Sequence, residues 1–239
     1  MIEDNRKLLP KSASFSRNLS DPKMAEKLLD MFQKNLEPLE SFMTDYECAV
    51  MGVETKLNIL NQRFSLHYDR NPIETIKTRV KSVDSIMRKM LRKGISPSLE
   101  EIAANMHDIA GVRVICSFER DVYLMADHLL EQDDVTLIKK KDYIANPKEN
   151  GYRSLHLIVS IPIYTEEGKK DIPVEVQLRT IAMDFWASLE HKIRYKKNIP
   201  EELRDELARC QAGCAEKSHQ LDIDFQNVYE RMLENDRDG

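Results

Sequence analysis

The chain has 239 residues, enough for one or two domains, and at 41% hydrophobic and 32% charged residues it is too apolar for a disordered chain. With 36 Lys and Arg against 41 Asp and Glu the net charge is −5, which argues against a duplex-DNA binder working through a broad basic surface. No run approaches the ~18 apolar residues of a membrane span, and the N-terminus lacks the apolar core of a signal peptide. A soluble cytoplasmic protein without membrane contact is expected.

Residues 1–20 are polar and read as a loose tail. Ser20-Asp21-Pro22 has the form of a helix start, and residues 23–70 read as mostly helical, with Pro38 as a break or second start and Asn71-Pro72 as the end. Residues 74–93 read as a further helix closed by Gly94, and residues 98–106 as a short one. The pattern then changes. Gly111–Phe118 is rich in β-branched residues and predicts a strand, residues 119–132 a helix, and Val135–Tyr143 and Ser154–Tyr164 two more strands. Gly168 marks a turn before the strand Ile172–Leu178, so the last two strands form an antiparallel hairpin. Residues 180–197 and 200–235 return to helix. Helices, a mixed β-rich centre and helices again predict one α/β or α+β domain with helical flanks.

The four cysteines form no C-x-x-C pair and read as reduced thiols. Cys210 and Cys214 lie four apart near His219, which leaves a zinc site open, although a structural site needs four ligands. His107-Asp108 spells the dipeptide of metal-dependent phosphohydrolases. The other histidines (His67, His128, His156, His191, His219) lack a matching ligand pattern. Asp222-Ile223-Asp224 spells the D-x-D of polymerase-type transferases, but it falls within a helical stretch and reads as a solvated face.

Only seven glycines occur, and neither glycine-rich phosphate loop is present, so any bound phosphate must be held by side chains. Residues 77–93 carry seven Lys and Arg against one acid, Asp84. Helical spacing puts Lys81, Ser85, Lys89 and Arg92 on one stripe, with Val80, Val83, Met87, Met90 and Leu91 opposite. This is either an ordinary solvated face, the usual case, or an anion site; the near absence of acids speaks against the first, because solvated faces gain from mixed signs, and the residues alone leave the two evenly balanced. A second basic island, Lys139–Arg153, surrounds Asn150-Gly151, and Tyr152, Ser154 and His156 alternate onto one strand face. A flat ring among cations suits a nucleobase and its phosphates, or a half-buried strand aromatic. In Val174-Glu175-Val176-Gln177-Leu178-Arg179 the apolar residues take one face and Glu175, Gln177 and Arg179 the other. Asp108 lies just before a strand that carries Arg113. Carboxylates so placed are candidate magnesium ligands.

These pieces in this order resemble the synthetase domain of RelA/SpoT-type (p)ppGpp synthetases, and most of all the single-domain small alarmone synthetases. The carrying motifs are Arg79-Val80-Lys81 with Ser85, Lys89 and Arg92; Asp108-Ile109-Ala110-Gly111-Val112-Arg113; Lys141-Asp142-Tyr143-Ile144 with Pro147-Lys148; Gly151-Tyr152-Arg153-Ser154-Leu155-His156; Val174–Thr180; and Ala182-Met183-Asp184-Phe185-Trp186. The resemblance implies a nucleotidyltransferase-like α+β fold with a mixed sheet of about five strands and long flanking helices. It implies N-terminal helices over 21–71, a catalytic domain over 72–197, and a C-terminal helix over 198–239 that serves oligomerisation, with a tetramer expected. It leaves no room for the hydrolase and regulatory domains of the long relatives.

The implied reaction is magnesium-dependent transfer of pyrophosphate from ATP to the 3′-hydroxyl of GTP or GDP, a stringent-response signal. The resemblance assigns Arg79 and Arg113 to adenine, and Lys81, Ser85, Lys89 and Arg92 to the ATP phosphates. Asp108 and Glu175 become the Mg2+ ligands, with Glu175 also activating the 3′-hydroxyl. Tyr152 stacks on guanine, Asp184 lies near its edge, Lys141, Lys148 and His156 hold the acceptor, and Gln177 supports Glu175. Some relatives carry Arg in place of Lys141 and Asn in place of Asp184; an ionised Asp only accepts hydrogen bonds, which suits the guanine N1–H and amino donors. The alternative is a non-catalytic nucleotide-binding or single-stranded RNA-binding regulator that uses the same basic islands.

Overall fold

A computed structural model describes residues 36–68, 70–194 and 201–237. The expected tail and the helix start at Ser20-Asp21-Pro22 lie outside the described residues. Six helices and five strands follow in the order α1 (Leu36–Tyr68), β1 (Ile73–Val80), α2 (Val83–Lys93), α3 (Leu99–Asn105), β2 (Ala110–Cys116), α4 (Glu119–Leu130), β3 (Thr136–Asp142), β4 (Leu155–Thr165), β5 (Gly168–Thr180), α5 (Ile181–Arg194) and α6 (Glu201–Arg237). The class is α+β, with one mixed sheet in the order β1-β2-β5-β4-β3.

Only β2 and β5 run parallel; β1 with β2, β3 with β4 and β4 with β5 are antiparallel. The last two strands form the expected hairpin, and Gly168 takes a φ of +115° at its turn. That left-handed region is disfavoured for residues with a Cβ.

Alternation fixes which face of the sheet is buried. Val112 and Val114 on β2, Leu155, Leu157 and Val159 on β4, and Val174, Val176 and Leu178 on β5 are all essentially inaccessible. They share a core with α1, whose buried residues Leu39, Met43, Tyr46, Val50, Val53 and Leu57 recur every three to four positions, the spacing of one helix face. From α4, Val122, Met125 and Leu129 join them. Asp121, fully buried, is held by both terminal nitrogens of Arg70, at 2.7 and 2.5 Å.

Two expectations need correcting. Residues 74–93 are not one helix: 73–80 form the edge strand β1, and the helix begins only at Val83. The segment holds five β-branched residues (Ile73, Thr75, Ile76, Thr78, Val80), which favour strand. Being an edge strand exposed for most of its length, it lacks the apolar alternation that would have marked it. Val80 and Lys81 therefore leave the helical stripe. Lys81 extends the β1–β2 pairing, its backbone N–H donating to the Ile109 carbonyl at 2.9 Å. On α2 itself Val83, Met87 and Met90 are buried as expected.

The second correction concerns Asp222. Only Asp224 of the D-x-D is solvated. Asp222 is packed inward and accepts a 2.6 Å hydrogen bond from the Thr180 hydroxyl, which itself accepts from the Met183 N–H and so caps α5. Helix α6 lies against this corner. Trp186 Nε1 donates to the Gln211 carbonyl (3.2 Å), Ser218 Oγ to the Ala182 carbonyl (2.9 Å), and Tyr229 stacks on Phe118 at 4.8 Å.

Candidate active site

The sheet face opposite the core is polar, and its register brings distant residues into rows. Arg79, Gly111 and Glu175 lie side by side across β1, β2 and β5. One step along, Lys77, Arg113, Gln177, His156 and Lys141 cross all five strands. Lys77, Arg79, Gly111, Arg113, Glu175 and Gln177 line one recess at the β1 end.

Asp108 lies two residues ahead of β2, beside the start of α2. Lys89 forms an ion pair with its Oδ2, and Lys81 approaches the same oxygen at 3.1 Å. Burial alone would raise the proton affinity of Asp108, but the two ammonium groups outweigh it and hold the carboxyl down at about 2. Burial in turn lowers the proton affinity of Lys81. The other carboxylate oxygen, Oδ1, is buried without a hydrogen-bond partner. Ser85 sits one turn before Lys89 on α2, bonded to the Ser82 hydroxyl at 3.0 Å, and Arg92 lies three residues beyond it, exposed.

Glu175 is ionised for a similar reason. Burial opposes its charge, but His156 and then Gln177 favour it more strongly, so its proton affinity falls below that of an ordinary glutamate. Gln177 Nε2 donates to Oε2 at 2.8 Å, and His156 Nδ1 stands 3.4 Å from Oε1. Asp108 is near enough for its charge to register on Glu175. An orphaned buried oxygen on Asp108 next to a second low-affinity carboxylate is a hard, all-oxygen donor set. It fits a magnesium ion, which takes one or two protein carboxylates and completes its shell with water and phosphate. Among the described residues no group of three or more His, Cys, Asp or Glu is placed to hold a metal, and Cys210 and Cys214 are exposed on α6.

Toward β3 the site becomes aromatic. The Tyr152 hydroxyl and His156 Nε2 are hydrogen-bonded at 2.8 Å, and Tyr143 meets the Tyr152 and His156 rings edge-on at 6.0 and 5.3 Å. Lys148 Nζ lies 4.6 Å from both tyrosine ring centroids, a cation–π arrangement. Lys141 is exposed opposite His156. Gly151, which precedes Tyr152, has φ +82°, and a Cβ there would stand 2.4 Å from the Ala215 Cβ on α6. Two independent constraints therefore require glycine.

Asp184, in the first turn of α5, accepts on one oxygen from Arg113 (3.3 Å) and Arg179 (3.2 Å). Residues assigned to different nucleotides, Arg113 and Asp184, are thus bonded to each other. Arg179 is the main residue absent from the expected set. Its place on the Glu175–Gln177 face was readable from the alternation, but its partners are remote in sequence. Tyr143 is the other: the resemblance gives it no role, and nothing local in the sequence shows that it faces Tyr152.

The chain matches the model of the region found in RelA/SpoT proteins over residues 78–200. It is 44% identical to the GTP pyrophosphokinase YwaC of Bacillus subtilis over 203 residues, covering 81% of this chain and 95% of that one. It is 40% identical to the GTP pyrophosphokinase YjbM of the same organism, covering 79% and 87%. The crystal structure of small alarmone synthetase 1 from Bacillus subtilis bound to its product pppGpp superposes with a TM-score of 0.73 at 37% identity, covering 82% of this chain and 98% of that one. Sharing the family's sequence over its central region and the fold of its small members over nearly their whole length, the chain belongs to the RelA/SpoT family.

Proposed function

We propose that this protein is a GTP pyrophosphokinase that moves the β,γ-pyrophosphate of ATP to the 3′-hydroxyl of GTP or GDP, releasing AMP. The observation that carries this reading is the pair of half-buried, ionised carboxylates, Asp108 and Glu175, placed at neighbouring strands by the parallel β2–β5 pairing, with Lys81 and Lys89 on Asp108. Attack on the β-phosphorus leaves little covalent work for the protein, so positioning and charge neutralisation dominate.

Lys81, Ser85, Lys89 and Arg92 face the donor phosphates, and Arg79 and Arg113 flank the adenine. Tyr152 stacks on the guanine with Asp184 at its edge, while Lys141, Lys148 and His156 hold the acceptor. Glu175 accepts the proton of the 3′-hydroxyl as that oxygen bonds to the β-phosphorus, and the β-phosphorus–oxygen bond to AMP breaks. Asp108 and Glu175 would hold Mg2+, which when bound screens the polyphosphate charge. Residues 72–197 form the catalytic unit in this reading.

The test is transfer of label from γ-labelled ATP to GTP. Glu175→Gln should lower the rate by ~10²–10⁴-fold, the range for loss of a general base, with unchanged circular dichroism. Undiminished transfer would overturn the assignment of Glu175.

Assembly belongs to the same proposal. Ile181, Phe185, Leu221 and Phe225 are exposed and line an apolar cavity of about 660 Å³ between α5 and α6; apolar surface of this kind marks an interaction site. A homotetramer using these helices covers it. Phe225→Asp should shift the mass by light scattering to smaller species, and a monomeric mass for the unaltered chain would refute the assembly. The Tyr143–Tyr152–Lys148 surface also offers a place for single-stranded RNA, whose binding should survive Glu175→Gln and fall steeply with salt. No helix among the described residues is long and apolar enough to cross a membrane, in keeping with a cytoplasmic enzyme.

A further inference from the structure

We infer that Arg179 is the positioning residue through which recognition of the acceptor base orients the catalytic carboxylate. It is 5% exposed and touches no bulk surface that would explain a cation there. Nη2 donates to the Tyr152 hydroxyl oxygen (2.6 Å) and to Gln177 Oε1 (3.0 Å), Nη1 to Asp184 Oδ1 (3.2 Å), and Nε to Ser154 Oγ (3.3 Å). Ser154 Oγ in turn donates to the Leu178 carbonyl at 3.1 Å, which anchors the guanidinium to the sheet.

A guanidinium has donors and no acceptor, so every hydrogen bond it makes runs outward from it. Because Gln177 Oε1 is taken by Arg179, the Gln177 amide must present its NH2 to Glu175 Oε2. The Tyr152 oxygen accepts a hydrogen bond from Arg179, and its own hydrogen goes to His156 Nε2, the pairing that fits an acceptor-only Glu175 carboxylate at the other ring nitrogen. That leaves His156 Nδ1 to carry the hydrogen that faces Glu175 Oε1. Two directed paths thus leave one guanidinium and arrive, donor end first, on the two oxygens of Glu175. The same guanidinium fixes Tyr152 and Asp184, the groups that face the acceptor base. Without Arg179 the Gln177 amide keeps only its bond to Glu175 and loses the donor that pins Oε1, and Tyr152 loses the donor that pins its hydroxyl beside His156, so both side chains can swing away from the carboxylate.

This inference rests on the pyrophosphokinase reading, and the experiment separates the two. Initial rates of AMP release are measured with ATP and GTP varied independently for the unaltered protein, Arg179→Ala, Arg179→Lys, Gln177→Ala and the double variant Arg179→Ala/Gln177→Ala, with GDP binding followed by calorimetry. Arg179→Ala should raise the KM for GTP and lower kcat, each by about tenfold or more, while the KM for ATP stays within about twofold. GDP binding should weaken in parallel. Millimolar methylguanidinium should restore part of kcat to Arg179→Ala, and Arg179→Lys, which keeps a donor-only cation, should lie between. In the double variant the loss in kcat should fall short of the product of the two single losses, because the Gln177 path lies downstream of Arg179.

GTP kinetics and GDP binding within twofold of the unaltered protein in Arg179→Ala would overturn the inference, as would equal losses toward ATP and GTP without rescue, the mark of general loosening. Should Arg179→Ala fail to fold, the same split is read from Arg179→Lys. No GTP-dependent AMP release from the unaltered protein would overturn the functional reading itself.

Discussion

Asp222 should make the docking of α6 weaken as pH rises. Burial pushes its carboxyl up from 3.8 to about 6, against the opposing hydrogen bond from Thr180. A carboxyl with raised proton affinity in the folded protein favours folding while protonated. Its contribution is fully present below 3.8 and is lost as pH climbs through about 6. Referred to the unfolded chain, the cost of the charge grows with pH from a few tenths of a kcal/mol near pH 4 toward a ceiling of about 3 at pH 7, which solvent screening of a partly exposed carboxylate cuts to about 1–2.

Asp222→Asn keeps a carbonyl acceptor for the Thr180 hydroxyl and removes the charge. It should therefore be more stable than the parent by about 1–2 kcal/mol at pH 7, with the difference shrinking toward zero near pH 4. The single tryptophan, Trp186, bonds to α6 through its indole N–H and reports the contact directly. Urea titrations followed by its fluorescence at pH 7.5, 6 and 5, without nucleotide or magnesium, give the comparison. A variant less stable than the parent at pH 7.5, or a difference that does not change with pH, would refute the account of a buried charge.

Three further outcomes are expected. Gly151→Ala meets both a left-handed φ and a 2.4 Å clash with Ala215, so it should cost about 2–4 kcal/mol and speed hydrogen exchange in α6; Ala215→Gly in the same chain should recover only part, because the backbone strain stays. Asp121→Ala leaves the Arg70 guanidinium without its buried partner and should lower stability by about 3–5 kcal/mol, read by urea unfolding. Lys148→Met keeps the apolar stem beside Tyr143 and Tyr152 but removes the cation; the KM for GTP should rise several-fold with that for ATP unchanged, and equal changes in both would argue against an acceptor-side role.

Much of this site was legible because one of its strands has one face buried and the other polar. Along β5 the alternation of Val174, Val176 and Leu178 with Glu175, Gln177 and Arg179 needs only the period of a strand. Edge strand β1 carried no such signal, since neither of its faces is uniformly apolar; its run of Thr, Ile and Val was overridden by the charges around it. The long-range contacts were closed to sequence reasoning for a different reason. Nothing near Gly151 indicates that Ala215 will press on it, and nothing near Arg179 indicates that Tyr152 and Asp184 will meet on its guanidinium. Asp222 was misjudged because an acid on a polar helix is ordinarily solvated, and only the docking of α6 on Thr180 makes it otherwise.

The parallel pairing of β2 with β5 has a consequence for when activity can arise. The β4–β5 hairpin closes across a two-residue turn and is local, whereas the Gly111–Glu175 neighbours are separated by α4, β3 and β4. Contacts of such long range are slow to form, and β5 leaves the ribosome after Lys81, Lys89 and Asp108 have already been made. An unfinished or partly refolded chain thus holds cations able to attract nucleotides but no second carboxylate beside Asp108. Signal synthesis waits for the sheet to close, so a half-built copy of the enzyme is silent.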